Sequence, residues 1–357
     1  MSGRSWYSNP LYVLAKKGFF EFLFRSGLLG FFRFLRRRSV LVAIYHDVLP
    51  AGFPEGNPLF GMSVSVEEFA WQIGYFKRHY NPISFQQFSD WYFLGHTLPP
   101  RPVLITFDDG HANNLRFALP VLKDQGVTAV CFAVAGDLGS SRPTWFEDAY
   151  YRLMFSPSTS WQLRSGECLP LETGPQRVAA CGRFFVLCRS LPERQQQEEL
   201  QSLRSQLPVS QPGSEMADRF EFLSHDAILQ LSENGIEIGS HTITHPILGA
   251  LGAEEASGEI ARSKSVLERV LGKTVHAFAY PFGAPGLDFG SRDEALVQES
   301  GYRLAFAGEG GFVSRSSRQF ALPRIGIGRM TRAQFAATVA GAVDSIKSIL
   351  VRRRGRE

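Results

Sequence analysis

From residue 40 onward the chain alternates short apolar, β-branched runs with longer stretches whose apolar positions recur every three or four residues. The first pattern suits a strand buried on both faces, and the second lays one apolar stripe along a helix. Strands are expected over 40–45, 82–85, 103–107, 127–134, 236–239, 276–280, 302–306 and 322–327. Strands separated by helices build a parallel sheet, and their number is near that of a barrel. The expected fold is therefore α/β, a distorted (β/α) barrel of about seven strands with a helical insertion in one loop.

Local punctuation supports the helices. Ser65 and Glu68 form a capping-box pattern before Phe69 and Ile73, and Asn234-Gly235 ends the helix that begins after Ser224. A helix over 253–271 should stop at Gly272, and a last one is expected over 332–351. Between 139 and 220 the alternation lapses: no buried strand is evident, only a helical stretch opened by Ser190-Leu191-Pro192-Glu193 and apolar at Leu200, Leu203 and Leu207. Such a segment reads as an insertion in a barrel loop, where lids and substrate walls are commonly built. Trp145, Phe146, Tyr150 and Tyr151, at its start, can either stack on sugar rings or anchor it to the barrel. Three parts are thus expected: an N-terminal segment over 1–38, a barrel over 39–330 with its insertion at about 139–220, and a C-terminal helix and basic tail over 331–357.

Charge sharpens the view of the ends. The net charge of +4 conceals eight Lys or Arg against Glu21 alone in residues 1–38, so that segment carries 8 − 1 = +7 and the rest −3. These cations are interleaved with Phe19, Phe20, Phe22, Leu23, Phe24, Leu28, Leu29, Phe31, Phe32 and Phe34, a mixture that suits a helix lying in a membrane interface, with peripheral contact through residues 10–38. Packing of the same Phe residues onto the domain is the competing reading. Ser26 and Gly27 should divide the segment into two helices. Glu21, Arg25 and Arg33 interrupt every apolar run before it can span a bilayer, and no small-residue cleavage site follows. Basic ends alone do not argue for nucleic acid. Cys131, Cys168, Cys181 and Cys188 show no metal-binding spacing and read as free thiols, so the expected location is the cytoplasm, peripheral on the inner face of the plasma membrane.

The chemistry gathers at strand ends. Leu104-Ile105-Thr106-Phe107 runs into Asp108-Asp109-Gly110, two adjacent carboxylates that repel one another unless a cation sits beside them. A turn would also use Asp-Asp-Gly. A second strand end leads into His241-Thr242-Ile243-Thr244-His245, whose imidazoles share one face if the segment makes a helical turn. A carboxylate and two imidazoles form a donor set for a divalent first-row metal, zinc by default.

Thr106-Phe107-Asp108-Asp109-Gly110 and His241-Thr242-Ile243-Thr244-His245 resemble the first two motifs of the NodB-type polysaccharide deacetylases. Phe278-Ala279-Tyr280-Pro281-Phe282-Gly283 is similar to that family's proline-aromatic-glycine segment, and the resemblance runs from about residue 40 to 328. It implies that Asp109, His241 and His245 are metal ligands, that Asp108 is the general base, and that Tyr280 and Phe282 meet the substrate. Many relatives draw the general acid from a C-terminal histidine, yet no histidine follows His276. Val42-Ala43-Ile44-Tyr45-His46-Asp47 instead resembles the tyrosine-histidine segment of poly-N-acetylglucosamine deacetylases, which makes His46 the candidate acid. The arginine that orients the base in many relatives is replaced by Ala279, and Arg324 can supply its charge, or line the substrate site, from the last strand. The family's aspartate-tryptophan segment is absent. His79, His96, His111 and His225 look incidental, and the role of His276 stays open. The implied reaction removes an acetyl group from an N-acetylated sugar of a polysaccharide or lipid-linked glycan. Deformylation or another non-peptide amide cleavage would use the same residues, and a glycan-binding barrel without turnover is the non-enzymatic alternative.

Overall fold

The computed structural model describes residues 10–54, 56–210 and 214–343. Nine strands share one sheet: β1 (Val40–Tyr45), β2 (Asn81–Pro82), β3 (Pro102–Phe107), β4 (Val130–Ala133), β5 (Glu237–Ser240), β6 (Ala277–Ala279), β7 (Leu304–Phe306), β8 (Phe312–Val313) and β9 (Ile325–Gly326). Seven follow one another as β7-β6-β5-β4-β3-β1-β8 and curl into a half-barrel, while β2 pairs with β3 and β9 with β1. All pairings are parallel except β1 with β8. The α/β barrel class expected from the hydrophobic pattern is the class observed, with shorter strands at the 302–306 and 322–327 positions.

Strand alternation divides the core. Leu41, Ala43 and Tyr45 of β1 join Val103, Ile105, Phe107, Cys131, Ile238 and Phe278 in the larger apolar cluster, together with Phe69, Ile73 and Phe76 of helix Val66–His79. Val40, Val42, Leu104, Phe132, Ala279 and Phe306 point the other way into a smaller cluster fed from across the sheet, as the concave side of a curled sheet must be. Every residue of β1 and β3 is buried, which is why those segments read as unbroken apolar runs. The curl also brings backbones close: a Cβ on Gly239 would lie 2.4 Å from the Phe132 ring.

Helices α1 (Pro10–Arg25) and α2 (Leu28–Leu35) precede the barrel and break at Ser26-Gly27, where Gly27 has φ 76°. Phe20, Leu23 and Leu29 are buried in the large cluster, so part of this segment does pack on the domain. The helix expected over 332–351 runs Arg332–Val339, breaks at Gly341 (φ 70°) and is helical again at Ala342 and Val343; the basic tail and residues 344–351 lie outside the described residues.

The region without evident strands is a subdomain with its own core. It comprises α3 (Trp145–Phe155), a hairpin of Ser160–Gln162 with Cys168–Pro170, α4 (Gly174–Ser190), α5 (Glu193–Gln206) and α6 (Ser214–Phe220). Trp161, Leu171, Phe184, Cys188, Leu200 and Leu203 pack together in it. Its two ends are stapled side by side beyond β3 and β4: Gly139 N–H donates to Leu223 O, Leu223 N–H to Gly110 O, and Phe222 N–H to Ser140 O.

Candidate active site

The C-terminal ends of β1, β3 and β5 deliver His46-Asp47, Asp108-Asp109 and His241 to one cavity of about 390 Å³. The turns there are strained: of the five described non-glycine residues with positive φ, four are Asp109, Thr242, His245 and Phe282. Such backbone persists only where surrounding contacts hold it. Gly110 (φ 78°) has no alternative, because a Cβ there would come within 2.9 Å of Ala133.

Asp109, His241 and His245 converge, with one donor atom from each lying within 4.8 Å of the others. His241 Nε2 is 3.5 Å and His245 Nε2 3.4 Å from Asp109 Oδ1. Ligands at zinc distances on tetrahedral corners are separated by about 3.3 Å, so the spacing fits such an ion. Asp109 Oδ1 is buried and accepts no hydrogen bond, which is the condition of a ligand atom. Burial pushes the Asp109 carboxyl up, but His245 at 3.4 Å and the other nearby imidazoles outweigh it and hold it well below the ordinary range. His241 Nδ1 meets Ala279 O at 2.7 Å, which assigns the proton to Nδ1 and leaves the Nε2 lone pair facing Asp109. Burial brings this imidazole down to about 4, so it stays neutral and ready to coordinate.

The two histidines are not on a helical turn, contrary to the expectation from their spacing. Thr242 (φ 69°) and His245 (φ 57°) reverse the chain, Thr242 Oγ1 accepts from His245 N–H, and Glu259 accepts from the N–H groups of Ile243 and Thr244. A knotted turn, braced by a carboxylate from helix Ala253–Leu271, sets the imidazole centroids 4.9 Å apart.

Asp108 faces Arg324 in a bidentate pair, Nη1 to Oδ1 and Nη2 to Oδ2, each 2.7 Å. Burial pushes this carboxyl up, but Arg324, aided by His241 and His46, holds it below the usual range. Arg324 is fully buried, donates also to Ala307 O and Thr106 Oγ1, and lies over the Phe132 and Phe306 rings. A side chain so enclosed cannot touch substrate, so its place is behind the base, not in the substrate wall.

Tyr280 is corrected as well. Strand alternation turns Ala277 and Ala279 inward and Tyr280 outward, where it stacks on Phe289 at 3.6 Å and donates to Phe320 O. Phe282 does line the cavity, edge-on to His245 and packed with Phe146 and Phe185. Of the insertion's aromatics, Phe146 and Tyr150 line the cavity, while Trp145 donates to His245 O and Tyr151 is buried against Phe220. His46 lines it too, its Nδ1 buried without a partner.

The sequence pattern missed a buried charged cluster beside these residues. Asp47 meets His111 Nδ1 at 2.9 Å and Arg219 at 3.2 Å, and Arg219 meets Glu147 at 2.6 Å. Asp47 and His111 belong to the barrel, Glu147 and Arg219 to the insertion. From the sequence His111 looks incidental, and its nearness to Asp108-Asp109-Gly110 is the one available signal. Arg189 of α4, which also lines the cavity, pairs with Asp288 at 2.6 Å.

Comparison with known proteins bears on the family and the fold. The family model described as polysaccharide deacetylase matches residues 95–162 and 184–305, more than half of the chain. The Bacillus subtilis (strain 168) protein YxkH is 24% identical over 125 residues, 35% of this chain and 42% of YxkH, so the match spans less than half of that relative. The Streptococcus pyogenes deacetylase PplD, solved in complex with acetate, superposes with a TM-score of 0.56 at 16% identity over 85% of this chain and 99% of that one. IcaB from Ammonifex degensii gives 0.54 at 19% identity over 85% and 97%. At these identities the structures speak for the fold.

Proposed function

The chain belongs to the polysaccharide deacetylase family, hydrolases that remove acetyl groups from glycans, and we propose that it cleaves the acetamido group of an N-acetylated sugar with the help of a divalent metal, zinc by default. The observation that carries this reading is the meeting, in one cavity, of a three-donor set with a separate ionised carboxylate and an unpaired imidazole.

Asp109, His241 and His245 would hold the ion. Bound there, it supplies Lewis acidity, lowering the pKa of water and drawing charge from a carbonyl oxygen. Asp108, kept ionised by Arg324, is the base that takes the proton from the attacking water. The bidentate grip points the carboxylate in one direction, so no reorientation is needed as the proton moves. An amide nitrogen leaves only once protonated, and His46, which faces the same cavity, is the donor. Phe282, Phe146 and Tyr150 form the aromatic wall against which the sugar's apolar face rests, while the Phe282 backbone N–H is the proposed partner for charge growing on the carbonyl oxygen.

Acetate release from N-acetylglucosamine oligosaccharides, with Asp108→Asn beside the wild type, tests the proposal. The expected outcome is acetate from the wild type and a loss of about a hundredfold or more in the variant at unchanged metal content. Near wild-type turnover by Asp108→Asn would remove the base assignment.

A further inference from the structure

The barrel buries one stripe of the N-terminal helices and leaves the other bare. Phe20, Leu23 and Leu29 are buried in the large apolar cluster, and Phe32 packs partly buried against that cluster. Phe22, Phe31, Phe34 and Leu35 are 56–60% exposed, and Phe19, Phe24 and Leu28 are 39–43% exposed. Leu28, Phe31, Phe34 and Leu35 fall at intervals of three and four, so they lie along one side of α2, while Leu29 packs into the core and Phe32, at the border, packs against it. Seven large apolar side chains are bared within seventeen residues (19–35), far more than a water-facing segment of that length ordinarily carries.

Charge identifies the partner. Arg25 on α1 is 82% exposed at its side chain, and Arg38 beyond α2 is exposed too. Arg37 stacks on the bare Phe34 ring at 4.0 Å. Glu21 is the sole acidic residue among the first 38, against eight basic ones. A protein interface of this size would bring acidic or neutral polar residues to its rim; aromatic side chains edged by a strong excess of cations, with Glu21 already paired to Arg25 at 3.4 Å, match the acyl boundary and anionic headgroups of a bilayer. No helix among the described residues is long and apolar enough to cross a membrane, so the contact is one of lying on the surface.

We propose that α1 and α2 dock this protein onto an anionic lipid surface, with Phe22, Phe31, Phe34 and Leu35 entering the headgroup and acyl boundary and Arg25, Arg37 and Arg38 meeting lipid phosphates. The buried stripe fastens the helices to the barrel, so docking holds the whole enzyme at the surface. The inference rests on the outward face of α1 and α2 and is independent of the catalytic reading.

The test is co-sedimentation of the full chain with vesicles of phosphatidylcholine alone and of phosphatidylcholine mixed with phosphatidylglycerol, comparing wild type, the triple variant Phe22→Ser/Phe31→Ser/Phe34→Ser, and Arg25→Gln/Arg38→Gln. Far-ultraviolet circular dichroism and thermal melting of each variant establish that it is folded. Expected are binding to the anionic vesicles, a loss of about tenfold or more in the triple variant, and a salt-sensitive partial loss in the charge variant. Failure of the folded wild type to sediment with anionic vesicles would overturn the proposal. Equal binding by the triple variant would also overturn it, as would a dimer seen by light scattering that the triple variant abolishes while vesicle binding is absent.

Discussion

Asp108 is buried, sits next to a second carboxylate, and is nevertheless ionised, because Arg324 answers it with two hydrogen bonds. Arg324→Gln should therefore do two things at once. Leaving a buried carboxylate without its counter-charge costs about 3–5 kcal/mol of stability, read as a fall in denaturation midpoint. Loss of the two-point grip should lower kcat about ten- to a hundredfold with bound metal unchanged. Arg324→Lys, a point charge in place of a fork, should restore stability more than turnover. His46 is tested through the leaving group. His46→Gln should slow amide cleavage by about a hundredfold or more yet spare hydrolysis of an aryl acetate, whose phenolate leaves without a proton; equal losses on both substrates would remove the acid assignment. At this scale the sequence was partly legible. Asp108-Asp109 and His241 to His245 lie close together at strand ends and betray themselves by type and spacing. Arg324 pairs with a residue 216 positions away, and the apolar run around it carries no local sign of its partner; only the resemblance, through the arginine missing at Ala279, pointed to it as the charge that orients the base.

Among the elements, the insertion is held to the barrel by charge as well as by packing. Arg219 of α6 reaches Asp47 after β1 and Glu147 of α3, all three nearly inaccessible to water. Leu59 and Phe60 of the barrel's first loop pack with Tyr151, Met216 and Phe220 of the insertion around this contact. Arg219→Met should strand two buried carboxylates, costing about 3 kcal/mol or more. The loss should appear as faster amide hydrogen exchange in residues 214–220 with β1 and β3 still protected. Uniform exchange across the chain would mean that insertion and barrel unfold together. The elements of the barrel were legible because two-sided burial writes itself as continuous apolar runs, and because Ser65-Glu68 and Gly272 mark helix ends where the structure has them. Helix α4 and the hairpin before it were not legible. Their apolar residues face a small private core, and α4 intersperses Gly182 and Arg183 among its Cys and Phe positions, which blurs the helical stripe.

At the scale of the whole molecule, a curled sheet brings the ends of distant strands to one place. Three strand ends spread along the chain from His46 to His241 carry the proposed base, acid and metal donors, and the insertion adds an aromatic wall beside them. The core does not depend on the metal donors, since the apolar clusters close beneath the cavity without them. Stripping the ion should thus leave the fold standing while ending the reaction. The most direct measurement is acetate release from N-acetylglucosamine oligosaccharides by protein freed of metal with a chelator and then titrated with zinc, with bound metal counted alongside. The account predicts folded, inactive apoprotein whose activity returns in proportion to zinc and saturates at one ion per chain. Acetate release indifferent to the chelator would contradict it, as would a chain that binds one ion at this site and releases no acetate.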